Sequence, residues 1–179
     1  MSKPEIETLA SREIYRNRWM GLREDSIRRA DGSEGIYSVV DKPDFAVIAA
    51  IDAGCVHLVE QYRYPVQARF WELPQGSLEG DADPLTVAKT ELAEETGIVA
   101  AEMAHVGKLF LAYGYSSQGY DVFLATGLTQ GAQQLEAGEQ GLITRPFPLT
   151  EVERMIRDGV ILDATTVAAL GLLKLKSLI

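Results

Sequence analysis

Three glutamates, Glu91, Glu94 and Glu95, stand close enough in the sequence to act together. On a helix turning about 100° per residue, Glu95 lies about 40° from Glu91 and Glu94 about 60° to the other side, so all three carboxylates share one face. By itself that face is unfavourable. Like charges four residues apart repel, and anions in a last turn oppose the helix dipole. A solvated helix surface is the plain alternative for such a triplet. A divalent cation would cancel both penalties. Mg²⁺ takes carboxylate oxygens, keeps several waters and pairs with phosphates; Mn²⁺ accepts similar donors.

The element that must carry these residues has clear ends. Asp83-Pro84 supplies an N-cap and a first-turn proline, and Leu85, Ala88, Leu92 and Ala93 recur at helical spacing. Gly97 is a C-terminal stop. The pattern predicts a helix over Pro84–Thr96. Before it, Leu73-Pro74-Gln75-Gly76 reads as a tight turn into a loop over 77–82 that returns the chain to the helix start. A carbonyl of that loop, Gln75 first, is a candidate further oxygen ligand.

Around this centre the rest reads as mixed structure. Asp31-Gly32 marks a hairpin between strands at 22–29 and 35–40, and Asp52-Ala53-Gly54 another between 45–51 and 55–61. Further strands are expected at 70–74, 105–112, 120–125 and 143–147. Helices are expected at 149–158, stopped by Gly159, and at 163–178, with Asp163 at its start. Strands, helix, strands, then two helices suggest an α+β or α/β sandwich rather than regular βαβ alternation. Residues 1–43 read as a separate small β element and 44–179 as the main domain.

The stretch 76–98 resembles the Nudix box: a glycine, five residues, Glu, seven residues, Arg-Glu, an aliphatic, any residue, Glu-Glu, any residue, Gly and an aliphatic. Gly76, Glu91, Leu92, Glu94, Glu95, Gly97 and Ile98 fall in register, and the box covers 23 of the 179 residues. Two positions depart: Ala82 replaces the early Glu and Thr90 the Arg. Loss of both charges together is less disruptive than loss of one, and Asp81 is a substitute for the missing Glu. The resemblance implies an α+β fold, the αβα sandwich of that family with a mixed sheet and an N-terminal antiparallel β element. It also implies Glu91 and Glu95 as metal ligands helped by Glu94.

Glu60-Gln61-Tyr62-Arg63, Trp71-Glu72-Leu73-Pro74-Gln75-Gly76 and Asn17-Arg18-Trp19 extend the likeness to the branch acting on ADP-ribose and nucleotide sugars. In that branch the N-terminal strands swap between two subunits. By this resemblance Trp19 stacks on a nucleobase, with packing of a dimer core as the alternative. Arg63 faces the ligand, with an ordinary salt bridge as the alternative, and Glu72 sits beside the site as an orienter. Glu139, with Glu136 as second choice, occupies the acidic loop that supplies a base or extra ligand in the branch. Tyr115 and Gln118 stand where a proline-containing loop sets substrate choice; a sugar or base contact and a glycine-permitted turn are both open. The prolines are absent here, so ADP-ribose itself is one candidate among related substrates.

Composition narrows the partners. The formal charge of −9 disfavours nucleic acid, and no apolar run reaches the roughly 18 residues that span a bilayer. Met1–Ala10 has charges and no apolar stretch, so no signal peptide is expected. The one cysteine, Cys55, excludes an internal disulfide and reads as a small buried hydrophobe. His57 and His105 each stand alone in expected strands and read as structural. The expected protein is a cytoplasmic homodimer that hydrolyses the diphosphate of ADP-ribose or a nucleotide sugar to a nucleoside monophosphate and a sugar phosphate. The rival substrates are a GDP-sugar, a dinucleoside polyphosphate or an oxidised nucleotide. A catalytically weakened nucleotide-binding module is the rival class.

Overall fold

A computed structural model describes residues 4–135 and 137–179; Glu136 lies outside the described residues. The chain folds as two compact units, residues 4–44 with Phe110–Gly119, and Phe45–Leu109 with Tyr120–Ile179.

In the first unit, strands β1 (Ile6–Arg16), β2 (Gly21–Arg29) and β3 (Glu34–Asp41) form an antiparallel sheet in that order. The Asp31-Gly32 turn is present. Gly32 has a φ of 88°, a conformation that favours glycine, and Asp31 accepts a bond from the Ser33 amide at 2.9 Å. All of β1 is exposed, while β2 buries Gly21, Asp25 and Ile27.

The second unit begins with β4 (Phe45–Asp52) and β5 (Cys55–Arg63), joined by the expected turn, where Ala53 and Gly54 both have positive φ. It continues through β6 (Ala68–Glu72), β7 (Gln75–Ser77), α1 (Pro84–Thr96), β8 (Ile98–Phe110), β9 (Gly119–Gln130), β10 (Ile143–Pro148), α2 (Leu149–Arg157) and α3 (Ala164–Leu175). The sheet runs β10-β5-β4-β9-β8, with β6 on β5 and β7 on β4. It is mixed, since β4 is parallel to β9 and antiparallel to β5 and β7.

The layering follows from β4. Side chains alternate across a strand. Phe45, Val47 and Ala49 join a core with Val152 and Met155 of α2 and Ala169, Leu170 and Leu173 of α3. Ala46, Ile48 and Ala50 join a second core with Ala88 and Leu92 of α1. Buried on both faces, the strand reads as one continuous apolar run. The result is the expected αβα sandwich.

Helix α1 has the expected bounds. The Asp83 side chain accepts from the Thr86 amide, and Gly97 closes the helix at φ 72°. Other boundaries differ. Gln75–Ser77 is not a plain turn but the short strand β7, with Gln75 opposite Val47; a polar, glycine-containing triplet carries no strand signal until β4 offers a ladder. Strand β8 begins at Ile98 rather than residue 105, because pairing overrides the helix-favouring Ala100-Ala101-Glu102-Met103-Ala104. Helix α3 ends at Leu175, and Ser177 beyond it has a φ of 55°. Cys55 is half-buried rather than buried, since it begins β5 at the turn, opposite Asp52.

Candidate active site

Glu91 and Glu95 come from α1, and Glu139 from a short 3-10 turn at Ala137–Glu139. One carboxylate oxygen from each lies within 4.8 Å of the others. Two full charges at such a separation repel by about 3 kcal/mol at an effective dielectric near 20, so full ionisation of the cluster is disfavoured unless a cation is bound. Glu95 is 1% exposed. Burial first, then the charges of Glu91 and Glu139, push its carboxyl well above the usual carboxylate range, against the opposing hydrogen bond from the Gln75 amide.

The strand–helix geometry aims these groups. The Gln75 amide donates to Oε2 of Glu95 at 3.1 Å, so β7 orients the buried carboxylate. A Cβ built on Gly76 would lie 1.9 Å from Cδ of Glu91. Glu91 therefore occupies the space that any other residue at 76 would need. An oxygen-only donor set with one buried anion suits a hard dication better than thiolate- or imidazole-seeking metals.

The end of α1 is closed by a segment that sequence reading passed over. The side chain of Gln130 donates to the Thr96 carbonyl at 2.9 Å and that of Gln133 to the Glu95 carbonyl, while the Gln134 amide donates to the Glu94 carbonyl at 3.0 Å. Helix C-terminal carbonyls need such donors. Clustered glutamines were the only available signal, and nothing in the sequence says which helix they meet.

The other candidates are placed as follows. Glu94 is half-buried and stands outside the three-carboxylate cluster. Glu72 is 2% exposed and accepts from the side chains of Gln61, at 2.7 Å, and Arg63. Burial pushes its carboxyl up and Arg63 pulls it back. Arg63 is thus paired with a buried carboxylate while its own side chain remains 40% exposed. Asp81 and Thr90 are exposed and Ala82 is half-buried, and Asp81 is not part of the carboxylate cluster. His57 is half-buried in β5, and Nε2 of His105 lies 2.7 Å from Oδ1 of Asp121; neither joins a metal-type cluster among the described residues.

In the first unit, Trp19 sits on the β1–β2 connection, 62% exposed, with the Arg18 guanidinium carbon 4.0 Å from its ring centre. Asn17 fixes the turn by accepting from the amides of Trp19 and Met20 at 2.9 Å each. These residues line a recess of about 290 Å³ with Arg16, Lys42 and Ser117. Tyr115 is exposed, and its backbone carbonyl accepts from the Val40 amide at 2.8 Å. Gln118 is buried, and its side chain donates to the Pro43 carbonyl at 2.6 Å; that bond ties the segment before β9 to the end of the first sheet's chain.

A layered sandwich with carboxylates gathered at the end of one helix is compatible with metal-assisted hydrolysis, and comparison with known proteins places the chain among the hydrolases that act on diphosphate bonds. The family model described as "NUDIX domain" matches residues 41–168, and that described as "Nucleoside diphosphate sugar hydrolase N-terminal domain" matches residues 6–40. The chain belongs to the Nudix family. It is 31% identical over 172 residues to an ADP-ribose pyrophosphatase of Mycobacterium tuberculosis, spanning 94% of this chain and 83% of that protein. It is 27% identical over 178 residues to an ADP-ribose pyrophosphatase of Bacillus subtilis, spanning 98% and 96%. A crystal structure of an ADP compounds hydrolase superposes with a TM-score of 0.86 over 97% of this chain and 95% of its own, at 20% identity, which shows the shared fold.

Proposed function

We propose that the protein hydrolyses the diphosphate of ADP-ribose or a closely related nucleotide sugar in the presence of Mg²⁺, yielding a nucleoside monophosphate and a sugar phosphate. The observation that carries this is the convergence of Glu91, Glu95 and Glu139 within 4.8 Å, with Glu95 buried. The names of the two relatives support the choice of substrate. Bound Mg²⁺, or Mn²⁺ in its place, supplies charge neutralisation at the diphosphate oxygens. Glu91 and Glu95 would hold it, with Glu139 as an extra carboxylate of the same set, Glu94 beside them and the carbonyl of Gln75 as a further donor. The Gln75 amide keeps the Glu95 carboxylate aimed. A water oxygen attacks one phosphorus, the bond from that phosphorus to the bridging oxygen breaks, and Glu139 takes the proton from the water. Trp19 stacks on the base across the homodimer, and Tyr115 is a further candidate contact for the sugar or base of the substrate.

Residues 1–43 act as the dimerising and base-binding element and 44–179 as the catalytic domain. A homodimer is supported by apolar side chains exposed on the first sheet, among them Ile6, Ile14, Tyr15 and Ile36. No described helix is long and apolar enough to cross a membrane, and we assign the protein to the cytoplasm, without nucleic-acid partners.

A substrate panel with Mg²⁺ tests the function: ADP-ribose, a GDP-sugar, a dinucleoside polyphosphate and an oxidised nucleoside triphosphate, with products separated by chromatography. ADP-ribose or a nucleotide sugar should be cleaved best; clear preference for a triphosphate would overturn the assignment. Ala82 and Thr90 favour a second reading, a nucleotide-binding module with weakened turnover. Calorimetry showing nucleotide binding without turnover at any metal concentration would establish it instead.

A further inference from the structure

Glu139 differs from its partners in how it is held. Glu91 and Glu95 are fixed by one helix, whereas Glu139 belongs to a three-residue turn in a connecting segment. Repulsion among three carboxylates pushes on that turn as well as on the helix. Something must therefore hold this turn in place before a cation arrives.

Two anchors are present. On the C-terminal side, Nη2 of Arg69 donates to the Gly141 carbonyl at 2.7 Å and to the Glu60 carbonyl at 2.9 Å, while Nε donates to Oε2 of Glu60 at 3.0 Å. Glu60 and Arg69 belong to the paired strands β5 and β6, so the guanidinium bolts residue 141 to the sheet. Between residues 139 and 141 the chain is tightly turned. The Leu142 amide donates to the Glu139 carbonyl at 2.9 Å, Gly141 has a φ of 86°, and Leu142 is buried. On the N-terminal side, the Gln133 side chain donates to the backbone carbonyl of Glu95, a residue whose carboxylate is in the cluster.

We propose that Arg69, seconded by Gln133, is a positioning residue that sets the Glu139 carboxylate against Glu91 and Glu95 in advance of metal binding. This rests on the role given to Glu139 above. A planar guanidinium suits the task because its fixed fork serves two carbonyls and a carboxylate at once. Arg69 acts on Glu139 through Gly141 and the tight turn between them, and removing a support outside the ligands of a metal weakens its binding by about tenfold.

The test titrates Mn²⁺ into the full chain without substrate, reading free Mn²⁺ by electron paramagnetic resonance. Arg69→Ala should weaken binding by about tenfold, and Gln133→Ala should weaken it in the same direction. In turnover, the loss should fall on kcat more than on KM. In a Glu139→Gln background, Arg69→Ala should add less than about twofold, because both changes remove one contribution. Glu60→Gln leaves the arginine in place and removes only its carboxylate anchor, so a smaller loss in the same direction is expected even if Arg69→Ala folds poorly. An equal loss from Arg69→Ala in both backgrounds, or none in the unmodified chain, overturns the proposal. If Glu139→Gln alone changes neither Mn²⁺ binding nor turnover, the role of Glu139 falls and this proposal with it. Absence of ADP-ribose cleavage would revise the substrate while leaving the Mn²⁺ comparison to decide the positioning role.

Discussion

Glu91 lies where the side chain of residue 76 would be: a Cβ on Gly76 would stand 2.0 Å from Oε1 of Glu91 and 2.1 Å from its Cγ. Glycine at the middle of a three-residue strand and glutamate in the helix are thus one steric unit. Gly76→Ala should displace the Glu91 carboxylate, because the atoms in the way belong to a flexible side chain. We expect a loss of Mg²⁺-dependent turnover of about 100-fold or more, as for small misplacements of catalytic groups. Thermal melting should change much less, since Glu91 is only half-buried and can move aside. Kinetics and melting measured side by side check this; unaltered turnover would show that the Glu91 position is unimportant.

Glu95 carries a fold-level penalty that function explains. Its carboxyl is pushed up by burial first, then by the charges of Glu91, Glu139 and Glu72. An acid whose folded value is raised takes stability away as pH climbs above its unfolded value, because the fold resists ionisation and the unfolded chain does not. At neutral pH, Glu95→Gln should therefore melt a few degrees higher than the unmodified chain in a chelator. It should also lose both the stabilisation by added Mg²⁺ and the turnover. Differential scanning fluorimetry with and without Mg²⁺ measures both signs. A lower melting point in chelator would mean that the carboxylate is satisfied as it stands.

Gln118 should report on stability rather than on substrate. Its buried side chain donates to the Pro43 carbonyl at 2.6 Å, and the Gly119 amide beside it donates to Asp44 at 2.8 Å. Gln118→Ala should cost roughly 1 to 3 kcal/mol, the usual result of leaving a buried acceptor without its donor, and leave KM unchanged. Urea denaturation and steady-state kinetics separate the two; a raised KM at unchanged stability would return Gln118 to the ligand.

His57 should give the protein a mild acid sensitivity. Burial in β5 holds its imidazole below the ordinary value of 6.5, with Asp52 pulling weakly the other way. The unfolded chain takes up a proton near pH 6.5 and the fold resists, so stability falls as pH drops below that point and levels off once the folded value is passed. Unfolding free energies between about pH 7.5 and 5 should slope less in His57→Gln than in the unmodified chain. Parallel slopes would exclude His57 as the cause.

The sequence alone determined the parts whose causes are local. Asp83, Pro84 and Gly97 bound α1 because capping and turn chemistry need only neighbouring residues, and the spacing of Glu91 and Glu95 puts two carboxylates on one side because helix periodicity is invariant. The apolar run at Phe45 and the Asp52-Ala53-Gly54 turn mark a hairpin strand for the same kind of reason, whereas its burial on both faces depends on α1, α2 and α3. Tertiary structure decided whatever depends on meeting across the chain. Gln75–Ser77 becomes a strand only because β4 lies beside it, and Glu139 joins Glu95 because a connecting segment folds back over the end of α1. Gln133, Arg69 and the Arg63–Glu72 pair acquire their partners from loop closures of 9 to 72 residues. A hydrogen bond across such a distance leaves no periodic trace, since its energy is set by where two backbones arrive and not by the residues next to either one.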